Sequence, residues 1–170
     1  MNNEEILGIV TKTVKEILAS PSENLIIPEP KITLDIAKAL TLAVENKAKE
    51  IGVDAVIAVS NAGARPVLVH AMDESYIASF DIAVNKAYTV VSLKMSTSEL
   101  KKIANPGESL YGIQYTNNGQ IVIFGGGVPL FKNGKLIGGL GVSGGTEEQD
   151  TFLADYGKKF FEKLSEELNK

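Results

Sequence analysis

The order of apolar and polar positions divides the chain into an N-terminal helix, a linker and an α/β domain. Residues 3–19 place apolar side chains on one stripe at helical spacing, with charged side chains elsewhere on the helix surface. Three prolines between residues 20 and 31 cannot continue that helix and indicate a linker. We therefore predict an amphipathic helix over 1–19, a proline-rich linker over 20–31 and a domain over 32–170.

Within the domain, helical periodicity alternates with short apolar runs. The periodicity and the capping residues predict helices over 33–51, 75–94, 96–103 and 146–168. Apolar runs between turn residues predict five strands, over 55–60, 66–72, 120–124, 128–131 and 135–143. The Asn133-Gly134 pair is typical of a two-residue hairpin. Hairpin connections favour an antiparallel sheet covered by helices, which is an α/β (α+β) fold.

The composition excludes several classes of function. The 170 residues contain no cysteine and a single histidine, so a disulfide, a cysteine zinc site and a multi-histidine metal site are ruled out. The net charge of −4 and the absence of a basic stripe argue against nucleic acid as a partner. No apolar run reaches the length of a membrane span, which predicts a cytoplasmic protein.

Two glycine-rich segments have both a structural and a functional interpretation. Gly125-Gly126-Gly127 is either a tight bend between strands or a cradle whose amides hold an anion. The segment Gly138–Gly145 ends at a predicted helix N-terminus, where free amides could hold a carboxylate or phosphate. Acidic residues in that first turn already satisfy the helix dipole. The competing hypothesis is a pocket wall made of glycine backbone.

Three other positions could take part in a site. His70, on a predicted strand, is either a hydrogen-bonded structural residue or an axial ligand for a metal that needs one imidazole. Asp81 and Lys86 lie on a helix that either faces solvent or places Lys86 in a pocket, where it would meet a carboxylate. No catalytic triad, carboxylate pair or metal-ligand spacing is present, so the sequence does not indicate an enzyme.

Several motifs resemble the GlcG/HbpS-type heme-binding family, which includes the C-terminal domain of PduO-type corrinoid adenosyltransferases. The resemblance covers about residues 32–165 in order. It is carried by Ile57–Asn61 with Gly63, Met72-Asp73, Ser79–Thr89, Pro106-Gly107, Leu110–Gln114, Phe124–Leu130 and Gly138–Asp150.

The resemblance implies a profilin-like α/β/α fold, in which a five-stranded antiparallel sheet has helices on both faces. It also implies a homo-oligomer that binds heme, a corrinoid or a small metabolite and is accessory to glycolate, diol or ethanolamine metabolism. Adenosyltransferase activity resides in the other domain of PduO-type proteins and is not expected here.

On this basis we place a ligand pocket between the helix over 75–94 and the glycine-rich strands, with His70 as a candidate axial ligand. The predicted ligand-binding residues are His70, Asp81, Lys86, Tyr111, Gly125, Gly126, Gly127, Ser143, Gly144, Gly145 and Thr146. An alternative hypothesis is an unassigned small-molecule enzyme in which Lys86 would be the catalytic group.

The segment 1–19 also resembles the encapsulation peptides of bacterial microcompartments, which are short amphipathic helices tethered to a cargo domain. It would then direct the protein to shell or cargo proteins inside such a compartment. The alternative is that it packs on its own domain or on a neighbouring subunit. A membrane surface is disfavoured because the polar face of the segment is not predominantly basic.

Overall fold

One antiparallel sheet organises the domain. The structure, a computed structural model, describes residues 31–167, so the predicted N-terminal helix and residues 20–30 of the linker lie outside the described part. The strands are β1 (Val56–Asn61), β2 (Pro66–Ala71), β3 (Gly127–Lys132) and β4 (Lys135–Ser143). They lie in the order β2-β1-β4-β3, and each neighbouring pair is antiparallel. Asn133 and Gly134 both have positive φ, as the predicted hairpin turn requires.

Four α-helices lie within residues 31–167, and each corresponds to a predicted one. They are α1 (Leu34–Glu50), α2 (Ile77–Leu93), α3 (Thr97–Ala104) and α4 (Glu147–Glu167). Side-chain caps explain where α1 and α3 begin. Thr33 accepts the Ile36 amide, and Ser96 and Glu99 form a reciprocal capping box. None of the helices in this part of the chain is long and apolar enough to cross a bilayer.

The prediction of a fifth strand over 120–124 was wrong, because the described sheet has four strands. Two 3₁₀ turns, Ile113–Tyr115 and Asn117–Gly119, lead into an irregular segment. Ile121 is buried there against Leu100 of α3, and the Val122 amide donates to the Thr89 hydroxyl at 2.9 Å. The apolar run of this segment therefore serves packing on α2 and α3, and its backbone does not join the sheet.

Helices cover both faces of the sheet, as predicted. Ile57 and Val59 of β1 point into the larger core, which α1 and α4 complete. The alternate residues Val56 and Ala58 point to the opposite face, where they pack on α2. This period-two alternation explains why β1 is apolar at nearly every position, since both of its faces are buried.

Glycines in β4 allow α2 to lie directly on the strand backbone. A Cβ atom added to Gly141 would lie 2.1 Å from the Ala83 carbonyl oxygen and 2.7 Å from the Ala87 nitrogen. One added to Gly139 would lie 2.6 Å from Val90. Helix and strand therefore meet backbone to backbone, and no space remains between them for the ligand pocket that we expected there.

The turn over 125–127 is held by side chains of the helices around it. The Gly125 amide donates to Glu147 Oε1 at 2.9 Å, and the Gly127 amide donates to the Thr97 hydroxyl at 2.9 Å. Lys101 of α3 donates to the other oxygen of Glu147 at 2.6 Å. Glu147 thus joins the start of α4 to the turn and to α3, and these hydrogen bonds hold the pKa of Glu147 below its ordinary value.

The close approach of α2 makes a sharp prediction about Gly141. Gly141→Ala should lower the free energy of unfolding by at least about 1–3 kcal/mol, the usual cost of overpacking, because the new methyl group meets backbone atoms. Gly63→Ala is the matched control, since the nearest atom to its new Cβ is a side-chain oxygen at 3.3 Å. Denaturant unfolding of both variants checks this, and equal stabilities would contradict it.

The Glu147 contacts predict a specific dependence on pH. Because the folded-state pKa of Glu147 lies below its ordinary value of 4.5, its contribution is present above that pH and is lost as the pH falls through the lowered pKa. Glu147→Gln should therefore be less stable than the wild type at pH 7. The difference should shrink below about pH 4.5 in urea unfolding curves. A difference that stays constant down to pH 3 would contradict this account.

Candidate functional site

Among residues 31–167, the predicted ligand-binding residues do not all line one of the pockets described below. Lys86, on α2, has no exposed surface. Its ammonium group donates to the Val142 carbonyl at 2.8 Å and to Asp150 Oδ2 at 2.7 Å, and lies 4.9 Å from the centre of the Phe124 ring. Burial lowers the pKa of Lys86, and the Asp150 carboxylate opposes that shift. Lys86 therefore has a protein partner and no open route to a ligand.

The two glycine-rich segments use their amides within the protein. Besides the Gly125 and Gly127 bonds, Gly144 and Gly145 both donate to Asp150 Oδ1, at 3.1 and 3.0 Å. Thr146 donates its amide to Gln149 Oε1 and accepts the Gln149 amide on its hydroxyl, which is the predicted capping box. The start of α4 is therefore capped by its own side chains, which favours the structural interpretation over an anion site.

The other predicted residues lie apart from one another. Ser143 is buried, and its hydroxyl contacts the Ser79 hydroxyl at 3.2 Å. Asp81 is exposed on α2, and Tyr111 is 62% exposed in the segment after α3. Neither of these two residues lines the pockets described next.

Strand register places two pockets at one end of the sheet. Val56 pairs with Ala71 on one side and with Ser143 on the other. The residues just before β1, just after β2 and just after β4 therefore meet at that end. The segments concerned are those around Asp54, Asp73 and Gly144.

The first of these, the His70 pocket, has a volume of about 380 Å³. Its lining residues are Glu45, Lys49, Asp54, His70, Ala71, Met72, Asp73 and Glu74. The His70 side chain is 40% exposed, and its Nε2 atom lies 3.5 Å from Glu45 Oε2. Lys49 donates to Glu45 Oε1 at 2.6 Å. This hydrogen bond lowers the pKa of Glu45, and the charge of His70 lowers it further.

The second, the Gly144 pocket, has a volume of about 440 Å³. Its lining residues are Gly52, Val53, Asp54, Glu74, Tyr76, Gly144, Gly145, Thr146 and Gln149. It shares Asp54 and Glu74 with the His70 pocket, so the two form one continuous depression. Each volume lies in the range of small-molecule sites, about 300–1,000 Å³.

Sequence reasoning found part of this depression and missed the rest. His70, Gly144, Gly145 and Thr146 are among the predicted residues and line it. Glu45 and Lys49 were missed because they are charged residues four apart on an amphipathic helix, a pattern typical of any solvated helix face. Asp54 and Glu74 gave no local signal, because only the strand register makes them neighbours.

The depression carries more negative than positive charge. Glu45, Asp54, Asp73 and Glu74 face Lys49 and the single imidazole. Residues 31–167 nevertheless contain no group of three or more acidic or histidine side chains arranged to hold a bare metal ion. The arrangement offers one nitrogen ligand with a carboxylate beside it.

Comparison with known proteins adds independent evidence. The family model described as "Haem degrading protein HbpS-like" matches residues 32–158. An uncharacterized 15.0 kDa protein from the dhaT-dhaS intergenic region of Citrobacter freundii is 49% identical over 78% of this chain and 94% of its own length. The corrinoid adenosyltransferase PduO of the same organism is 37% identical over 75% of this chain, which spans only 38% of PduO.

Solved structures agree with the fold. The Klebsiella pneumoniae protein ORFY has a TM-score of 0.76 and 45% identity, covering 79% of this chain and 93% of its own. The PduOC:Heme complex has a TM-score of 0.74 and 34% identity, covering 76% and 94%. A double mutant of Streptomyces reticuli HbpS has a TM-score of 0.69 and 25% identity, covering 78% and 88%. The suspected resemblance is thereby confirmed: the chain belongs to the HbpS-like family.

Proposed function

We propose that this protein binds heme, or a related tetrapyrrole such as a corrinoid, with His70 as the axial ligand. The observation that carries the proposal is the position of His70, the only histidine in the chain, in the wall of an open pocket. Heme iron needs one imidazole from the protein. Two comparisons add support: one similar solved structure is the PduOC:Heme complex, and the matching family model is described as a haem degrading protein.

The surroundings of His70 fit this role. A histidine that ligates a metal commonly donates its other ring N–H to a carboxylate, which fixes the tautomer and raises the basicity of the ligand. Glu45 stands beside Nε2 of His70 at 3.5 Å and is itself held by Lys49. Nδ1 is then the nitrogen left to bind a metal. Met72 is not a second ligand, because it is buried and its sulfur accepts the Ala55 amide at 3.3 Å.

One copy of the chain provides the ligand but little apolar enclosure. Most side chains around the depression are charged or polar, whereas a porphyrin buries two apolar faces. Exposed apolar residues begin at its edge, where Tyr76 is 72% and Ile77 96% exposed. We therefore propose a homo-oligomer in which a second copy covers the macrocycle. The acidic side chains of the depression would disfavour contact with the heme propionates, because the charges are alike.

The role we propose is that of a non-enzymatic binding protein, accessory to glycolate, diol or ethanolamine metabolism. The enzyme hypothesis relied on Lys86 as the catalytic group. Lys86 has no exposed surface and is paired with Asp150, so the geometry favours a structural role for it. The corrinoid remains the alternative ligand, because it also needs a single imidazole.

Titration with hemin tests the ligand. The wild-type chain should shift and sharpen the Soret band at a stoichiometric ratio, and His70→Ala should lose that spectrum or bind at least about tenfold more weakly, because the axial ligand is gone. Arg65→Ala is the matched control, since Arg65 is an exposed residue at the opposite end of β2. Parallel titration with hydroxocobalamin distinguishes a corrinoid site.

Each outcome of that titration has a definite meaning. No spectral change with the wild type removes the heme proposal, and an unchanged spectrum for His70→Ala removes His70 as the ligand. Sedimentation of the same samples tests the oligomer. A monomer both with and without hemin would contradict the second copy.

A second function is favoured for the N-terminal segment. The family match begins at residue 32, so the amphipathic segment 1–19 and its linker lie outside the family domain. We propose that this segment recruits the protein to shell or cargo proteins of a bacterial microcompartment. The protein would then be a cytoplasmic accessory or cargo protein located inside that compartment.

A fusion experiment tests this recruitment. Residues 1–20 joined to a fluorescent reporter should give punctate fluorescence in cells with assembled compartments, because the apolar stripe would dock in a partner groove. The control carries Val10→Asp and Val14→Asp, which place charges on that stripe, and should be diffuse. Diffuse fluorescence from the unmodified segment would refute the targeting role.

A further inference from the structure

Lys86 is a buried charge that the proposed ligand site does not use. It lies on the inner face of α2 with no exposed surface and lines neither pocket of the depression. Its ammonium group is surrounded by hydrogen-bond acceptors, the Val142 carbonyl and the Asp150 carboxylate. A Cβ atom on Gly126 would lie 2.6 Å from Lys86 Nζ and 2.8 Å from Asp150 Cβ, so the glycine turn also closes around the ion pair.

A continuous chain of hydrogen bonds leads from Lys86 to the wall of the Gly144 pocket. Lys86 donates to one carboxylate oxygen of Asp150, at 2.7 Å. The other oxygen accepts the amides of Gly144 and Gly145, at 3.1 and 3.0 Å. These two glycines line the pocket, whereas Asp150 is only 3% exposed. The carboxylate therefore lies between the buried ammonium group and the pocket wall.

We infer that Lys86 is a positioning residue: acting through Asp150, it fixes the Gly144–Gly145 wall of a pocket that it does not touch. The inference rests on the proposed function only for the identity of the ligand. A buried ion pair is a poor source of stability, since a well-packed apolar residue often serves equally well. What the pair supplies is orientation: Lys86 holds Oδ2 of Asp150, and this leaves Oδ1 facing the amides of Gly144 and Gly145.

Removing Lys86 should leave the fold and loosen the wall. Without the ammonium group, the Asp150 carboxylate is a buried charge without a counter-charge, which is costly. It would turn toward solvent and would then hold the two glycine amides less well. No other side-chain acceptor contacts those two amides in the described residues.

Hydrogen exchange measured by NMR on the full chain tests the inference. In Lys86→Met, exchange at the Gly144 and Gly145 amides should accelerate at least about tenfold more than exchange at the Ala58 amide at the sheet centre, which reports the loss of global stability. Lys101→Met is the matched control. This substitution removes an exposed ion pair to Glu147, which lies in the same first turn of α4 as Asp150. It leaves the contacts of Asp150 in place, so the Gly144 and Gly145 amides should keep their wild-type exchange rates.

Unchanged exchange at both glycines in folded Lys86→Met would overturn the inference, and so would equal acceleration at every amide, which indicates general destabilisation. If Lys86→Met does not fold, Asp150→Asn is used instead. It keeps a side-chain oxygen for the amides but loses the charge, so the same acceleration is expected, and unchanged rates overturn the inference.

Hemin binding separates this inference from the proposed function. Where the wild type binds hemin, Lys86→Met should bind at least about fivefold more weakly with His70 still ligated, because the wall is no longer fixed. Where the wild type does not bind hemin, the proposed ligand is wrong. The exchange rates still decide the role of Lys86.

Discussion

The backbone contact between helix α2 and strand β4 is the constraint on which the rest of the domain depends. With glycine at 139 and 141, the helix lies closer to the sheet than side chains would allow. The same approach carries Lys86 into the interior, where solvent cannot reach its ammonium group. A buried charge needs a counter-charge and further hydrogen-bond partners. Asp150, the Val142 carbonyl and the Phe124 ring meet that requirement.

The ion pair between Lys86 and Asp150 also involves the two glycine-rich segments, one leading into β3 and the other following β4. Asp150 can face Lys86 only if α4 begins just before it, and its second oxygen then takes the amides of Gly144 and Gly145. The turn at Gly126 adopts a positive φ and closes over the pair. The glycines thus serve close packing, and the amides of Gly125, Gly127, Gly144 and Gly145 are hydrogen-bonded within the protein. Functional chemistry is left to the surface at the end of the sheet.

The surface at that end of the sheet combines charged and apolar residues. His70 lies there with a carboxylate beside it. Acidic residues form the rim, and exposed apolar residues lie at its edge. The proposal of a macrocycle that is ligated by one copy and covered by another depends on this combination. The chain belongs to the HbpS-like family, and one similar solved structure is the PduOC:Heme complex.

Most of the secondary structure could be predicted from the pattern of apolar and polar residues. Periodicity, the caps at Thr33 and Ser96, and the Asn133-Gly134 turn each act within a few residues, so they determined four helices, four strands and their antiparallel arrangement. The prediction of a strand over 120–124 was wrong, because a short apolar run looks the same whether the segment pairs with a strand or packs against a helix. The excess of glycine indicated close packing without naming the partner.

Only the tertiary structure decided what the polar residues do. It separated Lys86 and Asp81, which share a helix, into a buried ion pair and a solvent-facing side chain. It also joined Glu45 to His70 and Asp54 to Gly144, pairs that lie 25 and 90 residues apart in the sequence. The sequence by itself determined the elements, because their causes are local. The site came from strand register and helix packing, which bring distant residues together and leave no trace in local pattern.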